Sequence, residues 1–210
     1  MKYKVMIVED QTMPRELFEL RIQASEHFEV ALSIDNAALA EVYCLRLPVD
    51  LILMDVVTRN GESGLDAAER IKRAFPQIKI IIVTSMPECS YLSRAREIGV
   101  ESFWYKEEQR ESLLDVMERT MAGESVYPDA TPELQLGLAS SYEFTERELV
   151  VLREMTGGDT NQEIAERLHM SVATVKTHIL NMLEKTGFRN RTELAVRARA
   201  SGLVSLNRKN

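Results

Sequence analysis

DLILMDV, residues 50–56, is a run of four apolar residues closed by the carboxylate of Asp55. A run without polar alternation reads as a strand buried on both faces, as in the middle of a parallel sheet. KVMIVED (4–10) and IKIIIVTS (78–85) read the same way, and each also ends in polar groups, Glu9–Asp10 and Thr84–Ser85. EVALSI (29–34) and the weaker VESFWYK (100–106) make five strands. Helical segments fall between them. Residues 12–26 carry Met13, Leu17, Leu20 and Ala24 at helical spacing; 37–47 follow; 64–75 stop at Pro76; 90–99 end at Gly99; 111–123 end at Gly123. Five strands alternating with five helices predict a parallel sheet covered on both faces.

The chain has 210 residues and net charge −7, unevenly spread. Residues 144–210 carry 11 Lys and Arg against 8 Asp and Glu, +3 net, whereas residues 1–143 carry 15 against 25, −10 net. The acid belongs to one half and the base to the other. The longest apolar stretch, near Ile78–Val83, is too short to cross a membrane, and MKYKVMIVED lacks the shape of a signal peptide, so a cytoplasmic protein with no membrane partner is expected. Cys44 and Cys89 lie far apart in apolar segments and read as reduced core thiols. With three His and no metal-spaced Cys/His cluster, zinc chemistry and His-based triads have little to build on.

Residues 124–143 contain Pro128, Pro132 and Gly137 and read as a linker, with room for one helical turn at 132–138. The expected domains are therefore 1–123 and 144–210. The second reads as four helices near 145–156, 161–168, 172–186 and 191–201. Thr145–Glu148 and Thr160–Glu163 have capping-box spacing, Asn190–Glu193 resembles it, Ser171 suits an N-cap and Gly187 a stop. Ile164, Ala165 and Leu168 on one helix and Val172, Val175, Ile179 and Leu183 on the next would share a core. That leaves Thr174, Lys176, Thr177, Asn181 and Lys185 for solvent or a DNA groove. An amphipathic helix with an exposed Lys is by itself usually only a solvated face.

In an open parallel sheet, ligands sit at the carboxyl ends of the strands. Glu9, Asp10 and Asp55 would converge at that rim, joined by Thr84 and by Lys106 at the end of the fifth strand. Carboxylates so crowded call for a cation, and oxygen ligands without His or Cys favour Mg2+ or a similar hard ion. A carboxylate nucleophile, a cation, a hydroxyl and a lysine suit phosphoryl transfer to Asp.

The pattern Glu9–Asp10, Asp55, Thr84–Ser85 and Lys106 resembles the receiver domain of two-component response regulators over about residues 3–122. The resemblance implies a flavodoxin-like, doubly wound five-stranded sheet of order 2-1-3-4-5. It implies Asp55 as phosphoacceptor, Glu9, Asp10, Asp55 and the Val57 carbonyl around Mg2+, and Lys106 paired with phosphoryl oxygens. It also implies that Thr84 turns toward the phosphoryl group and that Phe103 is the aromatic switch, with Trp104 facing the other side. One stretch departs from the family. Receivers usually follow the phosphoacceptor with Met-Pro and a Gly eight positions on; here Thr58–Arg59 stand there and Gly64 comes nine positions on.

Residues 144–203 resemble the LuxR-type helix-turn-helix of NarL/FixJ response regulators through Thr145, Arg147–Glu148, Asn161, Glu163–Ile164–Ala165, Leu168, Ser171, Thr174–Val175–Lys176, His178, Leu183 and Leu194. The two resemblances imply a non-enzymatic transcription regulator, phosphorylated by a sensor histidine kinase and pairing on promoter half-sites, with RNA polymerase as a further partner. Lys176 and Thr177 are expected on base edges, Thr160, Asn161, Thr174 and His178 on the phosphate backbone, and Leu180 over a thymine methyl or without a contact. Arg189 and Arg191 could add phosphate contacts, and the last helix is expected to form the dimer contact. Three alternatives stand beside this. One is an aspartyl-phosphate phosphatase, which would need a general-acid Asp where Val57 stands. Another is a receiver that works unphosphorylated as a dimerisation or protein-interaction module. The last is a helix-turn-helix that binds protein.

Overall fold

The computed structural model describes residues 2–59, 62–106 and 112–204. Asn60 and Gly61, within the stretch that departs from the family pattern, Glu111, read above as the start of a helix, and the side chain of Cys89 lie outside the described residues. Two units separate, one built from residues 1–85 and 89–131 and the other from residues 86–88 and 132–210.

The first unit carries β1 (Tyr3–Val8), α1 (Thr12–Gln23), β2 (Phe28–Ile34), α2 (Ala40–Cys44) after a 3-10 turn at Ala37–Leu39, and β3 (Leu51–Asp55). A short hairpin follows, β4 (Val57–Thr58) and β5 (Glu62–Ser63), and then α3 (Gly64–Ala74), β6 (Lys79–Thr84), α4 (Cys89–Ile98), β7 (Ser102–Tyr105) and α5 (Leu113–Met121). The five long strands pair in parallel in the order β2-β1-β3-β6-β7, which is the order 2-1-3-4-5 once the hairpin is set aside. β3 is buried at every position and β6 at all but its first, as strands covered on both faces must be. Val5, Ile7, Leu51, Leu53, Ile81 and Val83 form one core layer with Phe18 and Ile22 of α1 and Leu113, Val116 and Met117 of α5. Each fully buried Ile or Leu there contributes about 1.5–3 kcal/mol.

The second unit opens with a hairpin where a helical turn was expected: β8 (Gln135–Leu136) and β9 (Ala139–Ser140) pair antiparallel. Gly137 has φ +65°, and a Cβ there would lie 2.2 Å from the Thr186 carbonyl, so only glycine lets this turn pack on the helix end behind it. Leu136 and Ala139 are buried in the unit's core, so its fold begins before residue 144. The four helices are α6 (Glu146–Thr156), α7 (Asn161–Arg167), α8 (Val172–Thr186) and α9 (Arg191–Ala200). Thr145 with Glu148 and Thr160 with Glu163 form reciprocal capping boxes, and Ser171 and Asn190 cap α8 and α9. Gly187 stops α8 in the left-handed conformation at φ +72°. The turn between α7 and α8 passes through His169 at φ 53°, a conformation tolerable for a single residue, and the Met170 N–H closes it on the Ala165 carbonyl at 2.9 Å.

Candidate phosphoacceptor site and groove-facing helix

β1 and β3 are neighbours with Val8 opposite Met54, so the next residues, Glu9 and Asp55, emerge side by side at the carboxyl rim. Oxygens of Glu9, Asp10 and Asp55 lie within 4.8 Å of one another. Lys106, just past β7, donates from Nζ to Asp55 Oδ2 at 2.8 Å and to Glu9 Oε2. Thr84 ends β6 opposite Tyr105 and is buried, and its carbonyl accepts from the Lys106 N–H at 2.9 Å. The rim thus brings together all five strand-end residues singled out from the sequence. Phe103 is buried near the Tyr105 and Tyr127 rings, while Trp104 packs edge-on against Phe18 on the opposite face.

The electrostatics are strained. Burial pushes the Asp55 carboxyl up to about 7, and the Glu9 charge adds to this against the opposing pull of Lys106 and the Val56 N–H. Asp10 is raised by burial and then by Glu9. For Lys106, burial favours the neutral amine, but Asp55 and Glu9 outweigh it and hold the ammonium above its ordinary range. Three carboxylates facing one ammonium leave an excess of negative charge that a hard cation would neutralise.

The donor set of three carboxylates fits such an ion, and the neighbouring hairpin has a fixed hydrogen-bond pattern. The Gly64 N–H donates to the Val56 carbonyl at 2.8 Å, and Val57 pairs with Ser63, Thr58 with Glu62. In an antiparallel ladder, hydrogen-bonded and non-bonded pairs alternate. Val57–Ser63 is therefore a non-bonded pair, and the Val57 carbonyl points away from β5. No acidic group stands at 57, so the general acid that a phosphatase of this chemistry needs is missing at that position. Gly64 matters for a reason the sequence did not disclose: a Cβ there would sit 1.8 Å from the Asp55 carbonyl oxygen. Although it comes nine positions after Asp55, Gly64 stands directly against the Asp55 backbone.

In the helical unit, Val175, Ile179 and Met182 of α8 are buried against Ile164 and Ala165 of α7. That burial turns Thr174, Lys176, Thr177 and Asn181 to the exposed side, with His178 half-buried at its margin. Thr177 Oγ1 donates to the Ala173 carbonyl at 3.0 Å, and Thr174 Oγ1 lies 2.8 Å from Ser171 Oγ. Thr160 stays exposed and caps α7. Asn161 accepts from Arg191 Nη1 at 2.9 Å, while Arg191 Nη2 donates to the Asp159 carbonyl at 2.7 Å. Arg191, expected on phosphate, instead ties the start of α9 to the start of α7.

Lys185 is a correction. Its Nζ donates to the Glu143 carbonyl and to Glu148 Oε2, each at 2.7 Å, so it faces α6 and not the groove side. The buried Glu148 carboxylate draws it in, a pull from outside α8 that helical periodicity does not contain.

Comparison with known proteins bears on both units. A family model described as the response regulator receiver domain matches residues 5–118, and one described as bacterial regulatory proteins, luxR family, matches residues 143–198. The response regulator protein VraR of Staphylococcus aureus strain Mu3 is 32% identical over 209 residues, covering 97% of this chain and all of the relative. VraR of Staphylococcus epidermidis strain RP62A is 33% identical over the same span. Among solved structures, RcsB from Salmonella enterica serovar Typhimurium, bound to promoter rprA with a phosphomimetic, superposes with TM-score 0.61 at 20% identity over 93% of this chain and 98% of that one. That last likeness speaks for the fold alone. With a receiver match over more than half its length and relatives aligned nearly end to end, this chain belongs to the response regulators of the NarL/FixJ type, DNA-binding regulators of transcription and not enzymes.

Proposed function

We propose that a sensor histidine kinase in the cytoplasm passes a phosphoryl group to Asp55, and that this controls pairing of the LuxR-type domains on two DNA half-sites. The observation that carries the reading is the Asp55 carboxylate itself, buried at a strand end, held by Lys106 Nζ at 2.8 Å and flanked by Glu9 and Asp10. Mg2+ held by Glu9, Asp10, Asp55 and the Val57 carbonyl would supply charge neutralisation for the incoming phosphoryl oxygens. Asp55 Oδ would be the attacking atom, and Lys106 would exchange its ion pair with Glu9 for one with the transferred group. The added charge of about −1.5 to −2 would draw Thr84 toward the phosphoryl oxygens, coupled to the already buried Phe103 ring as the switch residue, shifting the population toward the pairing state.

On DNA, Lys176 and Thr177 are assigned to base edges, and Thr160, Asn161, Thr174 and His178 to the backbone, with Asn181 at the edge of the reading surface. α9 exposes Val196, Arg197 and Ala200 and buries Leu194, which suits it to a dimer contact. RNA polymerase would be addressed by the assembled dimer.

The test is Asp55→Asn with acetyl phosphate and Mg2+. The wild type should gain about 80 Da by mass spectrometry, should dimerise, and should shift promoter DNA more strongly, with binding that weakens as salt rises. Asp55→Asn should do none of these in response to the donor. Phosphodonor-independent binding equal in both proteins would favour a receiver that acts unphosphorylated as a dimerisation or protein-interaction module.

A further inference from the structure

The hairpin that departs from the family pattern is clipped to the turn after β2 by a set of contacts that the phosphoacceptor reading does not use. Thr58 is 2% exposed. Its Oγ1 accepts the Ala37 N–H at 2.9 Å and donates to the Glu62 carbonyl at 3.2 Å. Ala37 is itself fully buried, so its N–H depends on that hydroxyl. One residue on, the Arg59 N–H donates to the Asp35 carbonyl at 3.1 Å, and its guanidinium pairs with the Asp35 carboxylate. These contacts hold one end of β4 against residues 35–37. The other end is held by the Gly64 N–H on the Val56 carbonyl at 2.8 Å. Val57 lies between the two anchors, and its carbonyl is directed away from β5.

We infer that Thr58, with Arg59 in support, is a positioning residue for the cation site: it fixes the direction of the Val57 carbonyl and so sets the affinity for Mg2+. The inference rests on the phosphoacceptor reading, because it takes Glu9, Asp10 and Asp55 as the other ligands. A peptide plane between two anchored residues has little freedom to rotate. Released at Thr58, it can turn its oxygen out of the ligand sphere without any loss of the three carboxylates. Thr58 follows directly after Val57, the residue of the ligand atom, and its hydroxyl contacts are with Ala37 and Glu62, so its effect is expressed through Mg2+ and not through the phosphoryl chemistry.

Titration with MgCl2 by calorimetry, on the full chain with no phosphodonor, reads this directly. Thr58→Val removes the hydroxyl at nearly constant volume and should raise the Mg2+ Kd about 5–10-fold, while Thr58→Ser, which keeps the hydroxyl, should restore it. Acetyl-phosphate labelling of Thr58→Val should recover toward the wild-type rate at saturating Mg2+, since only occupancy is impaired. Arg59→Ala supplies an independent arm should Thr58→Val fail to fold. Removing a cation near the site would by electrostatics alone tighten Mg2+ binding, whereas loss of the clip should weaken it about 2–3-fold. Unchanged Kd in Thr58→Val, or tighter binding in Arg59→Ala, overturns the inference while leaving the phosphoacceptor reading intact. A wild type that neither binds Mg2+ nor becomes labelled overturns the reading beneath it.

Discussion

Lys106 reaches Glu9 across 97 positions of sequence, whereas Thr160 reaches Glu163 across three. The receiver site and the helical unit differ in this throughout. At the rim, the functional groups are delivered by four different strands, and folding forces like charges together. In the helical unit, each cap is completed by a residue within the same turn, and the ion pairs between helices, such as Lys185 with Glu148 and Arg167 with Glu154, join opposite charges. The first arrangement stores electrostatic stress that a cation and a phosphoryl group can relieve. The second stores none and offers a fixed shape to DNA. A switch benefits from the former and a reading head from the latter.

The sharpest way to break this contrast is to disturb one unit and look for damage in the other. Gly64→Ala forces a Cβ to within 1.8 Å of the Asp55 carbonyl, so backbone must move. It should cost the receiver about 3 kcal/mol or more and abolish acetyl-phosphate labelling. Amide exchange in α8 should stay as slow as in the wild type; loss of protection there would mean that the two units do not stand independently.

Two carboxylates should then titrate in opposite senses. Asp55 has a folded value near 7, above the unfolded value of about 4, so the native state holds a proton that the unfolded chain has released. Receiver stability should fall as pH rises from about 4 to 7 and stay low above that. In EDTA at pH 8, Asp55→Asn should therefore melt several degrees above the wild type, and Mg2+ should close the gap. Glu148 behaves in reverse. Burial works against its ionisation, but Lys185 and the N–H and hydroxyl of Thr145 outweigh burial and hold its carboxyl below the usual range. Its contribution is present above the unfolded value and is lost as pH falls through the folded one. Glu148→Gln should thus destabilise the helical unit at pH 7, with the difference from wild type shrinking toward pH 3 by calorimetry. A shared direction for the two variants would erase the contrast.

The smallest effect sharpens the local side of the comparison. Ser171 Oγ accepts the Thr174 N–H at 3.0 Å, so Ser171→Ala should cost about 1 kcal/mol in the helical unit's unfolding and leave labelling of Asp55 unchanged.

Much of this was legible in residues 1–210 read as text, and the failures have physical causes. The apolar runs of β1, β3 and β6 announce their own burial, and their polar ends place Glu9, Asp10, Asp55 and Thr84 at one rim. The caps at Thr145, Thr160, Ser171 and Asn190 are local chemistry, legible at a spacing of three residues. α1 was misleading. Met13, Leu17 and Leu20 have helical spacing but are exposed, Met13 at 81%, while Phe18 and Ile22 of the neighbouring stripe enter the core. Two apolar stripes of similar strength cannot be ranked without knowing where the sheet lies. The stretch from 124 to 143 read as a linker because its prolines and glycine break periodicity. In the fold, Val126 accepts the Phe103 N–H at 2.8 Å on the β7 edge, and Leu136 fills the helical core. The cysteine reading reached only Cys44, which is buried and unpaired, its thiol pushed up to about 11 by burial and by Glu41.

Sequence alone determined which residue types stand at the strand ends and which helices carry their own caps, because burial of apolar runs and hydrogen bonding within one turn depend on neighbours in the chain. Tertiary structure alone decided that Lys106 bridges Glu9 and Asp55, that Lys185 turns inward to Glu148, that Gly64 must lack a side chain and that Thr58 braces the Val57 peptide. Each of those is a meeting of segments distant in sequence, and the energy of such a meeting depends on a separation in space that no spacing along the chain specifies.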